Sequence, residues 1–315
     1  MKSLGISLLL AGLCYAGPLG GPVPGFIVDS RSGTLRPVLG IPGAMQLGTA
    51  ITLPFQITSA DFDPNGNFAV VVSNETPGHL YLIQNLNNPV ITDMGAIADN
   101  STVLAVNSTG QAAVLRAPGQ LQFLTGITSS PVLANAIPAQ QLLGSISTGV
   151  LDDAGRCALL GTSGDSAGAL ETLCADGTSQ RILIQPGMHL SAIALANQGQ
   201  DAILADSGGR QILRVAAYAQ SAAVTTLAGS QDGINTPVGI QVNGQQAVVA
   251  DSAASSIFLI DLSGQAAIQT ISLNGAPARV KFLADRTVVL LTDPSAAPFT
   301  IFDLQAMQSF FIPTN

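Results

Sequence analysis

The feature that most limits how this 315-residue chain can fold is a recurring unit, an apolar run of strand length that ends in a short polar residue. It occurs at Phe26–Asp29, Val70–Asn74, Leu104–Asn107, Ala158–Ser163, Ile203–Asp206, Val248–Asp251 and Val289–Asp293. The polar ends fall 33 to 56 residues apart, and the last two intervals are 45 and 42. No helix-period pattern lies between copies. An all-strand unit of this length predicts an all-β fold, a single β-propeller of seven blades with four antiparallel strands each. Six blades plus an N-terminal strand pair is the alternative. Each unit needs its neighbours to bury both of its faces, so one closed domain is expected.

Hydrophobic residues make up 47% of the chain and charged residues 10%, with a mean hydropathy of +0.43. After residue 16 no apolar run approaches the roughly 20 residues of a spanning helix. The excess is Val, Ile, Leu and Ala in short bursts broken by Gly, Pro, Asn, Asp and Ser, as strands buried on both faces read. Residues 1–16 read as a secretory signal, with Lys2, the apolar Leu4–Leu13 and a cleavage region at Cys14-Tyr15-Ala16. The expected organisation is therefore a signal peptide over 1–16 and a propeller over 17–315, secreted or periplasmic. A lipid-attached Cys14 is disfavoured by Leu13, where a bacterial lipobox needs a small residue.

The net charge of −8 becomes −9 without Lys2, and the eleven basic residues read as scattered singly. Nucleic acid and anionic membrane are accordingly not expected as partners. Cys157 and Cys174 flank the turn Gly164–Gly168 symmetrically, so a hairpin would set them opposite each other. Directly opposed strand residues lie within disulfide reach, and an exported chain meets an oxidising compartment. The two are a disulfide candidate, the other reading being a pair of small buried apolar neighbours.

Two units are clearest. Ser191–Val215 and Val238–Asp261 each give three strands, followed by a fourth at Ala223–Ala228 and Ile268–Leu273. The stretch Leu227-Ala-Gly-Ser-Gln-Asp-Gly-Ile-Asn-Thr-Pro237-Val-Gly-Ile-Gln-Val, continuing to Val249-Ala-Asp251-Ser252, resembles the NHL and YncE-like propeller repeats. Asp61-Phe-Asp-Pro-Asn-Gly-Asn67 is similar to the first hairpin of those repeats. The resemblance is good over 184–273, weaker over 57–183 and 274–315, and marginal over 23–56. It implies an exported bacterial propeller whose relatives mostly bind ligands or partners, and it carries no catalytic residues. Blade boundaries are expected near 57, 96, 138, 184, 230 and 274. The first unit reads as lacking an innermost strand, and the tail Ser309–Pro313 is a candidate to complete a blade from the other terminus.

Asp29, Asn74, Asn107, Ser163, Asp206, Asp251 and Asp293 share one expected position, the end of the second strand. In a ring they would form a polar annulus around the channel, able to take a cation or polar ligand. The competing and weightier reading is turn chemistry, because short polar side chains at strand ends bond their own backbone. Asp61–Gly66 opens like a calcium loop, but its twelfth position is Val72, where a bidentate Glu is required. Gly164-Asp165-Ser166-Ala167-Gly168 fits a nucleophile-elbow pattern, yet strands flank it on both sides and no helix follows. His79 and His189 stand in unlike contexts, without zinc spacing or a local triad. Tryptophan is absent, which disfavours sugar stacking.

These residues predict a ligand- or protein-binding scaffold with no catalytic motif, no metal site and no cofactor beyond an optional divalent cation. Its partner would be a protein or a small polar ligand. The alternatives are a metal-assisted, lactonase-like hydrolase using central carboxylates, and a structural cell-surface protein.

Overall fold

The second strand of each unit is apolar along its whole length because it is covered on both sides. Phe68–Ser73 and Asp201–Asp206 are buried at every position. The computed structural model, which describes residues 21–284, 286–292 and 298–313, arranges such strands in seven antiparallel sheets. Six sheets carry four strand positions, and in blade 3 two short pieces, Val132–Leu133 and Ile137–Pro138, share the outermost one. The innermost strands of blades 2 to 7 begin at Ile57, Thr102, Ser145, Leu190, Pro237 and Lys281. The outermost strands of blades 2 to 6 end at Ala96, Pro138, Pro186, Ala228 and Ser272, near the boundaries read from sequence. One 3-10 turn, Ser230–Asp232, is the single helical element among the described residues.

Seven apolar clusters hold the blades together, each between two adjacent sheets. One joins Phe26 and Leu35 of blade 1 to Ala69 and Val71 of blade 2, and another joins Ile27 and Val38 to Val288 and Phe299 of blade 7. The other five fill the remaining junctions. The result is a seven-bladed β-propeller closed around its whole circumference, which removes the aggregation-prone faces an open array would leave.

Blade 1 departs from the pattern, with three strands among the described residues, Gly25–Asp29, Thr34–Leu39 and Gln46–Leu47. Its direction identifies what is missing. The Pro24 carbonyl accepts from Ala284 N–H, just past the innermost strand of blade 7, at 2.8 Å. The Gly33 carbonyl accepts from Ile57 N–H, at the start of the innermost strand of blade 2, also at 2.8 Å. Gly25–Asp29 therefore runs against both neighbouring innermost strands, as a second strand does. The tail does not supply the absent strand: Gln308–Ile312 pairs with Phe299–Asp303 as the outermost strand of blade 7. The sequence expectation of a tail completing a blade from the other terminus is corrected accordingly.

Innermost strands are bulged at a repeated place. The register against the second strand slips at Thr58, Leu104, Ser147, Ser191 and Val238. Where the extra residue is serine, its hydroxyl clips neighbouring blades together: Ser191 Oγ donates to the Ala205 carbonyl at 3.1 Å and to Pro237, in blade 6, at 2.6 Å. Ser147 does the same between Gly161 and Leu190 of blade 5. Inner strands approach so closely that a Cβ on Gly239 would collide with the Val280 backbone.

Candidate functional site

Propellers bind either on a loop face or inside the ring, and the strand-end residues Asp29, Asn74, Asp206 and Asp251 fall on the first of these. Asp206 and Asp251 are fully buried at second-strand ends. Asp206 accepts from His189 N–H at 2.9 Å, Gly209 N–H at 3.0 Å and the Gln211 amide at 3.0 Å. Asp251 accepts from Asn235 N–H, Thr236 N–H and Ala254 N–H at 2.7, 2.8 and 2.9 Å. Asp29 accepts from Arg31 N–H, with the Arg36 guanidinium 3.7 Å away. Asn74 is exposed, and its amide donates to Gln56 at 3.0 Å. Each ties its own turn or the loop packed beneath it, and none of them lines the central cavity. The Ser163 hydroxyl is buried without a partner among the described residues. Asp293 lies outside the described residues.

Asn107 is not a second-strand end. It follows Thr102–Val106, the innermost strand of blade 3, and so lies at the opposite end of the ring. There its carboxamide oxygen accepts from Gln111 N–H and Ala112 N–H, and its amide donates to the Asp153 carbonyl of blade 4 at 3.0 Å. Asp63 and Asp152 close the equivalent turns of blades 2 and 4. The second strand of blade 3, Ala112–Ala117, ends without a polar residue.

The other sequence candidates have structural duties. Asp63, within the calcium-like stretch, accepts from Asn67 backbone and side chain at 3.1 and 2.9 Å. Gly164 N–H donates to Ala167 in a hairpin turn between two strands, so Ser166 has no elbow around it. Cys157 and Cys174 are directly opposed in the same hairpin and joined by a disulfide. His79 pairs with Asp93 at 3.0 Å, and the exposed His189 meets the Ser207 hydroxyl at 3.0 Å. The Gly95 N–H, opposed by burial and helped by His79, holds the Asp93 carboxyl below its usual range. No group of three or more His, Cys, Asp or Glu is placed to hold a metal among the described residues.

A cavity of about 640 Å³ lies inside the ring, within the roughly 300–1,000 Å³ typical of ligand pockets. Innermost strands wall it, except at blade 1, where Gly25–Val28 face it directly. Its charged lining is asymmetric. Arg279, Lys281 and Arg286 all come from blade 7, while Asp61 and Asp63 come from blade 2. Lys281 reaches across blade 1 to pair with Asp61, and its ammonium sits 5.1 Å above the Phe62 ring. Asp61 is held independently by Val106 N–H at 2.7 Å. Arg279 donates to the Thr292 carbonyl at 3.1 Å. Three of the eleven basic residues thus gather on one cavity wall of a chain with net charge −8, so the reading of singly scattered cations is corrected. The signal was present as Arg279-x-Lys281-x4-Arg286.

With this geometry in hand, the chain was compared with known proteins. No family model and no curated protein matches it. Solved propellers do. A Lactobacillus plantarum protein superposes with a TM-score of 0.65 at 15% identity, over 92% of this chain and 95% of its own. Virginiamycin B lyase from Staphylococcus aureus gives 0.61 at 14% identity, over 82% and 84%. Hydrazine synthase from Kuenenia stuttgartiensis gives 0.63 at 10%, over 97% and 99%. At such identities the likeness shows the fold, and the varied functions of these neighbours leave the choice to the site itself.

Proposed function

We propose that this chain is an exported binding scaffold that takes an anionic ligand, or the anionic segment of a partner, into the cavity inside the ring. One observation carries the reading: Arg279, Lys281 and Arg286 line a single wall of that cavity in an otherwise acidic chain. With Asp61 and Asp63 on the opposite wall the lining carries both signs, and the three cations on the blade 7 side make that wall the attractive one for an anion. Lys281 and Asp61 are part-buried, at 31% and 21% exposed, and both border the cavity. A ligand carboxylate replaces Asp61 on Lys281 at little loss, because Asp61 keeps its backbone donor. The NHL- and YncE-like pattern over Leu227–Ser252 supports a binding role, and the apolar Leu4–Leu13 supports export. Of the carboxylates a lactonase-like site would draw on, Asp29, Asp206, Asp251 and Asp293, the first three already have donors from their own loops.

Calorimetric titration of the full chain with citrate, glutarate and a neutral hexose tests this reading. The two anions are expected to bind, to weaken as salt is raised, and to outcompete the hexose by at least tenfold. Equal binding of the hexose, or no binding of either anion, contradicts it.

A further inference from the structure

We infer that the inward edge of Gly25–Asp29 is a docking edge for a short acidic peptide in extended conformation; this rests on the cavity reading above and names its ligand. In blades 2 to 7 the second strand is paired on both sides, whereas among the described residues Gly25–Asp29 pairs with Thr34–Leu39 alone. The register shows which groups are left over. Pro37 has no N–H, and its carbonyl and that of Leu35 accept from Gly48 and Ile51, on the side away from Gly25–Asp29. The residues opposite them, Phe26 and Val28, therefore form non-hydrogen-bonded pairs. Their N–H and C=O groups point toward the axis, and no group among the described residues pairs with them. Gly25 to Val28 line the cavity, so these two donors and two acceptors border the space where a ligand would sit.

An alternating row of backbone donors and acceptors is complementary to another extended backbone, the basis of strand addition. A strand rises about 3.4 Å per residue, so the five residues of Gly25–Asp29 match a peptide of about the same length. The flanking charge selects its side chains. On the blade 7 side stand Arg279, Lys281 and Arg286, and Lys281 already holds a carboxylate, Asp61, in the cavity that this edge borders. An acidic side chain of the incoming peptide takes that place, and the Phe62 ring beneath the ammonium swings aside with the released Lys281–Asp61 contact.

The test titrates the full chain with acetylated, amidated Val-Glu-Val-Glu-Val. Comparison peptides are its Gln-for-Glu counterpart and two backbone-methylated versions, one at the valines and one at the glutamates. The Gln peptide and one methylated version are expected to bind at least tenfold more weakly, while the other methylated version binds like the parent. Hydrogen exchange at the Phe26 and Val28 amides should be fast in the free protein and at least tenfold slower with peptide. Both methylated versions binding like the parent overturns the inference, as do Phe26 and Val28 amides already slow in the free chain, which would place a segment of this chain on the edge. Glutarate bound as tightly as the peptide, or bound alone, leaves the cavity reading standing and removes this inference. Failure of glutarate, citrate and peptide alike removes both.

Discussion

Asp251 shows why a strand-end carboxylate reads the same in sequence whether it binds a ligand or holds a turn. Three backbone N–H groups converge on it in the fully buried state. A hydrogen bond to a charged group contributes about 1.5–3 kcal/mol, so Asp251→Ala should lower stability by about 3 kcal/mol or more. At about 2–4 °C per kcal/mol for a large domain, a fall in Tm of about 6–12 °C is expected by calorimetry. Asp251→Asn, which keeps an acceptor, should lose about half as much. Because the oxygens of Asp206 and Asp251 are occupied by donors, chelation and return of Ca²⁺, Mg²⁺ or Mn²⁺ should leave Tm unchanged. A reproducible rise with one ion would contradict the turn assignment. Asp201 adds a pH dependence. Burial alone would raise its pKa, but the Ala217 N–H and the Arg214 guanidinium outweigh that and hold it below the usual range. A depressed native pKa gives stability above the unfolded value near 3.9 and loses it as pH falls through the native one. Asp201→Asn should flatten the dependence of unfolding free energy on pH below about 4.

At the scale of strands, what was readable depended on burial. Second strands stood out as unbroken apolar runs because both faces are covered, as at Ala247–Ala250. Innermost strands were obscure, since one face looks into the cavity and a bulge breaks their alternation. Leu104–Asn107 is the case in point: an apolar innermost strand with Asn at its end imitates a second strand, and only the sheet order separates the two. The bulge hydroxyls of Ser147 and Ser191 left no local signal either, because one acceptor of each, Leu190 and Pro237, lies in the next blade. Ser191→Ala removes bonds to Ala205 and Pro237 and should cost about 1–2 kcal/mol, read as a lower denaturation midpoint at unchanged slope. The Cys157–Cys174 bridge closes a separation of 17 residues, for which chain entropy gives about 3 kcal/mol. Reduction should therefore lower Tm by about 6–12 °C without opening the ring, because the seven inter-blade clusters do not depend on it.

For the molecule as a whole, the repeat was legible because ring closure demands seven similar units, each apolar on two faces. The site was not, because a propeller's interior is shared among blades and no single unit contains it. Arg279, Lys281 and Arg286 are close in sequence, but what makes them a wall is Lys281 spanning blade 1, whose innermost position is unfilled among the described residues, to reach Asp61. Loop-face carboxylates and interior cations are thus rival sites for a ligand, and single substitutions separate them. Titration of citrate into Arg286→Glu and Asp206→Asn is the most direct test. Arg286 is exposed at the cavity, whereas Asp206 is buried on the loop face. The cavity account predicts at least tenfold weaker binding to Arg286→Glu and unchanged binding to Asp206→Asn. Undiminished binding to Arg286→Glu with loss in a folded Asp206→Asn would move the site to the loop face and contradict it.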